Sequence, residues 1–323
     1  MKVLTQNITV GAYTFEASNN IEIQLSTRNL VNTCKITIPT SSVIQNENGD
    51  KLFQDSQKAF KRGDKVSVNI GYNGENFNEF EGYVKQINTG TPTVLECEDS
   101  AYLLRNNYIT ESYLSVSLKT LLLKVVEGVG IPLSPNIPDL TITKVSLSDT
   151  SGLDVLRELK KTYGLVSFIN KDNQLYCGLA YTETGQTINL QTNLNVISTD
   201  SLSFNDRSEE NVQVKVTIFN ENGTQETKTF GKSGGATRTL FLYDIESGFD
   251  VESWANSEIE KYKAQTLEGS IETFIQPRIQ PTDIININDV DYPERNGNYY
   301  IEEVVINFGM NGGRRTITIG QKV

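Results

Sequence analysis

The chain has 323 residues, more than one ordinary core holds, so two or three domains are expected. Hydrophobic residues at 37% and aromatics at 9% supply enough apolar surface for folded cores, which excludes a disordered chain. A formal charge of -11 excludes a phosphate-neutralising surface over most of the protein, and the absence of histidine excludes every Ser-His, Cys-His and His-metal mechanism.

Met1 to Asn7 carries no apolar leader, and no stretch approaches the roughly 18 to 20 apolar residues of a membrane span. Synthesis and assembly in the cytoplasm, without stable membrane insertion, are therefore expected. Up to about residue 40 the text alternates with period two: Ile21, Ile23 and Leu25 on one face, then Cys34, Ile36 and Ile38. Asn46-Glu47-Asn48-Gly49-Asp50 reads as a turn. Gly63-Asp64 opens a strand through Val66, Val68 and Ile70. Asn73-Gly74 turns it into a return strand from Phe80 to Ile87, and Thr93 to Cys97 closes the set.

The period then becomes helical. Leu118, Leu121, Leu122 and Val125 form one face after Ser117, and Gly128, Gly130 and Pro132 stop it. A second helix starts at the capping box Ser151 to Asp154 and ends at Tyr163-Gly164, with Leu153, Leu156 and Leu159 buried. Leu165 to Ile169 and Gln174 to Leu179 read as a hairpin. Strand text resumes with Val212, Val214, Val216 and Ile218 and a turn at Asn220-Glu221-Asn222-Gly223. A helix at about 251–264 has Asp250 as N-cap and Val251, Trp254, Ala255 and Ile259 on one face. The last fifty residues return to strands. Cys34, Cys97 and Cys177 fall in phase with apolar neighbours, as buried, reduced thiols do.

The end of the chain echoes its beginning. Gly63-Asp64-Lys65-Val66, Gly82-Tyr83-Val84-Lys85-Gln86-Ile87 and the closing strand through Val94 and Leu95 recur in order. Their counterparts are Thr282-Asp283-Ile284-Ile285, Asn298-Tyr299-Tyr300-Ile301-Glu302-Glu303-Val304 and the closing strand Arg315 to Ile319. The predicted fold is mainly β (α+β): two similar antiparallel β-barrel domains, 1–104 and 198–323, flanking a small α+β domain, 105–197.

The segment Phe60 to Asp99, with its Phe-x-x-Gly-Asp opening, Phe80-Glu81-Gly82-Tyr83-Val84 return and Cys97-Glu98-Asp99 close, resembles the first domain of phage tail hub proteins. That family includes the late control protein D type and the base of VgrG-type spikes. The resemblance covers most of the chain in domain order but only about forty residues in specific text. It implies a homotrimer whose paired barrels form a pseudo-sixfold ring between tail tube and spike, among other baseplate proteins. No lysozyme domain or needle follows Val323, so the spike is expected to be a separate protein. The resemblance also implies that 222–270 can leave the second barrel and pack on the middle domain. Thr282 stands where the first copy has Gly63.

The candidate chemistry gives no catalytic, cofactor-binding or metal residue. Glu96 and Glu98 flank Cys97 on the outward face of a strand, and with Asp99 read as solvated charges. Gly231-Lys232-Ser233 lacks the glycine five positions earlier that a phosphate loop needs, Glu226 standing there, and Gly231 to Gly235 reads as a loop. Asp289 and Asp291 lack the rest of a calcium loop and read as a turn beside Pro293. Arg314 and Arg315 face opposite ways and read as solvated, with a partner carboxylate or phosphate as the alternative. Trp254 reads as core.

The expected function is a non-enzymatic baseplate hub located in the tail of a virion or a related contractile injection machine, with DNA only as passing cargo repelled by acidic walls. The alternatives are a monomeric β-rich binding module and a carboxylate-dependent tail-tip wall hydrolase.

Overall fold

Chain segments that alternate apolar and polar residues build most of this molecule, and their apolar faces meet in one large core running from Ile8 to Ile319. The computed structural model describes residues 2–45, 48–205, 207, 209–220, 224–243, 249–263 and 266–323. The turns expected at Asn46–Asp50 and Asn220–Gly223 lie partly outside the described residues.

The echo read in the sequence is an echo in hydrogen bonds. In the first copy, Lys65–Tyr72, Glu75–Asn88 and Thr93–Glu98 form an antiparallel meander. In the second, Ile284–Asn288, Gly297–Gly309 and Gly312–Lys322 do the same. Thr33–Ile38 borders the first closing strand as Ser270–Thr273 borders the second. The turn that opens each meander is bonded alike. Gly63 N–H donates to Val84 O at 2.8 Å, Val84 N–H to Asp64 O at 2.9 Å, and Lys61 N–H to the Asp64 carboxylate at 2.7 Å. In the second copy Thr282 N–H donates to Ile301 O at 3.0 Å, Ile301 N–H to Asp283 O at 2.9 Å, and Gln280 N–H to the Asp283 carboxylate at 2.9 Å. Even the irregularities recur, because a bulge skips Lys85 in the first return strand and Glu302 in the second. One strand breaks the likeness: Leu4–Val10 runs antiparallel to its neighbour, whereas Thr187–Gln191 fills the matching place running parallel.

The departure at Thr282 has a physical consequence. Gly63 and Thr282 both sit at positive φ, +89° and +78°, a region glycine enters freely and a β-branched residue enters only under strain. Thr282→Gly is expected to raise stability by about 1 kcal/mol, and Gly63→Thr to lower it by at least as much. Denaturant midpoints of the two variants check this.

The two β units share one sheet. Asn20–Ser26 of the first pairs antiparallel with Glu303–Gly309 of the second, from Ser26 opposite Glu303 to Asn20 opposite Gly309. The middle unit has its own core, built from the helices Leu118–Val125 and Gly152–Tyr163 and the hairpin Val166–Ile169 with Leu175–Gly178. Ser117 and Ser151 cap the two helices through their side chains. Tyr108–Ser117 pairs with Thr141–Ser151 as a two-stranded ribbon that sequence reading did not assign. Thr187–Gln191 and Val196–Ser198 pair within the second β unit, not the middle one.

A further layer lies over the middle unit. Val212–Phe219 is flanked by Gln225–Gly231 and Ala236–Tyr243 in a three-stranded sheet. One face packs on the helix Val251–Lys263 through Val214, Val216, Ala255 and Ile259. From the other, Phe219 stacks on Tyr163 at 4.8 Å between ring centroids, with Tyr243 stacked on Phe219 at 5.2 Å. No helix among the described residues is long and apolar enough to cross a membrane.

Candidate assembly interface

Three carboxylates sit at or beside the joints between units; Glu79 and Glu302 are held by cations from distant sequence and Glu98 by cations nearby. A bulge between Val68 and Asn69 leaves Glu79 as the extra residue of its strand, and its side chain is buried between the β units. Arg315 donates to it from the second unit at 2.7 Å, and Gln280 donates to its other oxygen at 2.6 Å. Arg315 also donates to the carbonyls of Ile279 at 2.5 Å and Ile275 at 3.1 Å, so its guanidinium ties a loop as well as a carboxylate. Arg278 lies 3.8 Å from Glu79 and donates to Asn78 O at 2.6 Å. The reading of Arg315 as solvated is therefore corrected: it is fully buried, in phase with Ile317 and Ile319, while Arg314 lies over the Phe274 ring.

Glu302, the bulge residue of the second return strand, takes Arg28 at 2.5 Å and the Tyr181 hydroxyl, which ties the second unit to the first and to the middle one. Glu98 takes Lys85 at 2.7 Å and Arg105 in a two-point contact at 2.8 and 2.7 Å. The reading of Glu98 and Asp99 as solvated edge charges is corrected too, for both are 3% exposed. Alternation placed Glu98 on the outer face of its strand correctly. That face is covered by the helical turn Ser100–Asn106, which Asp99 caps by accepting from Ala101 N–H at 3.0 Å. Only Glu96 stays half-exposed.

Burial pushes the Asp99 carboxyl up to about 7, against the opposing pull of the N–H groups of Asn32 and Ala101. The folded chain then holds a proton there that the unfolded chain releases near 4. Stability conferred by the protonated form is present at low pH and lost as pH rises towards 7. Between pH 5 and 8 Asp99 is expected to lower stability by on the order of 2 kcal/mol. Denaturant unfolding of wild type and Asp99→Asn at both pH values reads this, since the asparagine variant should show a smaller fall.

The remaining candidates fall as turns and core. Gly231 ends one strand and residues 232–235 lead into another strand, not into the helix a phosphate loop requires. Asp289 accepts from Asp291 and Tyr292 N–H and pairs with Arg295 at 3.4 Å, which is a turn. Trp254 packs on the core under its helix. All three cysteines are free and buried, Cys34 directly opposite Cys97. Asp99 and Glu79 line a cavity of about 380 Å³ between the units, but their oxygens are already committed to backbone N–H groups and to Arg315 and Gln280. What the arrangement does well is fix unit against unit.

No family model and no curated protein matches the chain. Solved structures do. The tail protein from Neisseria meningitidis MC58 superposes with a TM-score of 0.64 over 98% of this chain and 96% of its own, at 11% identity. The fold is that of this tail protein. The 43 kDa tail protein of prophage MuSo2 from Shewanella oneidensis shares the fold with a TM-score of 0.59 over 98% and 97%, at 13% identity. The E. coli c3393 protein, a component of the type VI secretion system similar in structure to T4 tail proteins gp27 and gp5, scores 0.58 over 98% and 75%, at 10% identity. At such identities the fold is common to these chains while their side chains are not, so the ionic joints are read from this chain alone.

Proposed function

We propose that this chain is a structural hub of a phage tail or a related contractile injection machine, in which three copies close into a ring. The β units, 1–104 and 198–323 with the strands of 187–197 completing the second, would take six like positions around it, with the rest of 105–197 outside. Such a ring matches a sixfold tail tube on one side and a threefold, separate spike on the other. The observation that carries the reading is the duplicated meander, with the same turn bonds and the same bulge, inside a chain with the tail-protein fold. The E. coli neighbour's place in type VI secretion supports the same class of machine.

The work is mechanical, and the buried Arg315–Glu79 pair between the two β units suits it. Catalysis gains no support, because the carboxylates of the central cavity already hold structural partners. The assembly resides in the tail or baseplate, among other baseplate proteins and without membrane insertion. With -11 charge per copy the ring repels passing DNA and does not grip it. Light scattering tests the reading. Three times the chain mass of 36.0 kDa is expected, whereas a single-chain mass at every concentration favours a monomeric binding module.

A further inference from the structure

The joint between the two β units is made by unlike edges. The first unit offers Asn20–Ser26 and the second offers Glu303–Gly309. Because the units are copies, each owns a version of both edges, and the chain uses one of each. The unused pair can be located by register. Ile87 faces Leu95 as Val304 faces Ile317, and Leu95 faces Ile36 as Ile317 faces Ile271. Thr33 stands three residues before Ile36 and faces Gln24; Glu268 stands three before Ile271 and faces Ser203. The second unit's version of 24–26 is thus Ser203–Asn205, and the first unit's version of 303–305 is Gln86–Asn88.

We propose that copies of this chain join head to tail by strand pairing, with Gln86–Asn88 of one copy against Ser203–Asn205 of the next. Asn88 would face Ser203 as Val305 faces Gln24, and Gln86 would face Asn205 as Glu303 faces Ser26. This names the contact of the ring proposed above and rests on that reading.

Two observations point to these edges. Their backbones pair on one side only: among the described residues, Gln86–Asn88 with Val94–Glu96, and Ser203–Asn205 with Thr266–Glu268. Unpaired strand edges bind other strands readily. The second observation is burial. At the filled joint the core-facing pair is Val304 and Leu25, 0% and 8% exposed. Their counterparts Ile87 and Phe204 pack on the same core yet stay only partly buried, as apolar side chains do where a covering strand has still to arrive.

Contacts between unlike edges propagate from copy to copy and close into a ring when the rotation allows. The ionic lock of the inner joint does not recur. Lys85 and Arg207 stand where Glu302 and Arg28 stand, and each is paired within its own chain, with Glu98 and Glu268. The joint between copies therefore leaves no charge unpaired and separates more easily than the joint within a chain.

Cysteine pairs read the contact directly, since residues opposed across strands lie about 4.5–5.5 Å apart at Cα, within disulfide reach. The double variant Asn88→Cys with Ser203→Cys, oxidised at high concentration, is expected to give linked species of two and three chains on non-reducing gels, absent from either single variant. Gln86→Cys with Asn205→Cys serves should the first pair misfold. If light scattering finds trimers and neither pair links, the edge pairing is wrong and the ring stands. If every variant and the wild type stay single chains at all concentrations, both are wrong.

Discussion

Arg315→Ala is expected to lower stability by about 3–5 kcal/mol, the largest loss any single truncation of a charged side chain should cause here. Arg315 is fully buried and makes four contacts: both oxygens of Glu79 and the carbonyls of Ile279 and Ile275. Removing it leaves Glu79 buried between the units with only Gln280 within hydrogen-bonding distance and Arg278 at 3.8 Å. An unpaired buried carboxylate is costlier than a lost hydrogen bond. The pair itself is worth far less than that loss, because its attraction offsets the cost of removing two charges from water. Glu79→Gln combined with Arg315→Met should therefore recover more than half of what Arg315→Ala loses. A double-mutant cycle in denaturant measures the coupling, and purely additive losses would contradict the account.

Gly82→Ala is expected to cost about 3 kcal/mol. A Cβ there would lie 2.1 Å from the backbone oxygen of Glu98 and 2.9 Å from the Asp99 Cα, and no rotamer change can relieve contacts with main chain. Either the return strand or the closing strand must move. Moving the closing strand strains the Lys85–Glu98–Arg105 cluster and the Asp99 cap at once. The unfolding midpoint of the variant should fall sharply. Gly90→Ala, whose nearest neighbour is 3.4 Å away, should stay within about 0.5 kcal/mol of wild type.

The duplication was legible because its signals are local. A turn carboxylate, period-two strands and a tyrosine before the bulge all lie within forty residues, and each has one simple geometric meaning. Both helices of the middle unit were legible for the same reason, through the caps Ser117 and Ser151. The ribbon Tyr108–Ser117 with Thr141–Ser151 was not. One face is exposed and the other mostly only half-buried, with Glu111 standing between Ile109 and Tyr113, so apolar alternation is broken. The ionic joints show a different limit. Arg315 was in phase with Ile317 and Ile319, a sign that it faced the core, but that sign decides nothing until a carboxylate is found. Glu79 is far away in sequence and points inward only because of a bulge. Glu98 and Asp99 are buried because the helical turn Ser100–Asn106 folds back over the outer face of their strand, and nothing in a strand's own text reports a cover. Strands 187–198 likewise join partners more than seventy residues downstream.

In the proposed ring, paired β units in each chain let three copies occupy six like places. Electron microscopy of the purified assembly, averaged end-on, tests it most directly. A hollow ring with six similar lobes, alternating between first and second units, is expected. Rings with three lobes only, or particles in which the two units of a chain occupy unlike positions, would contradict it.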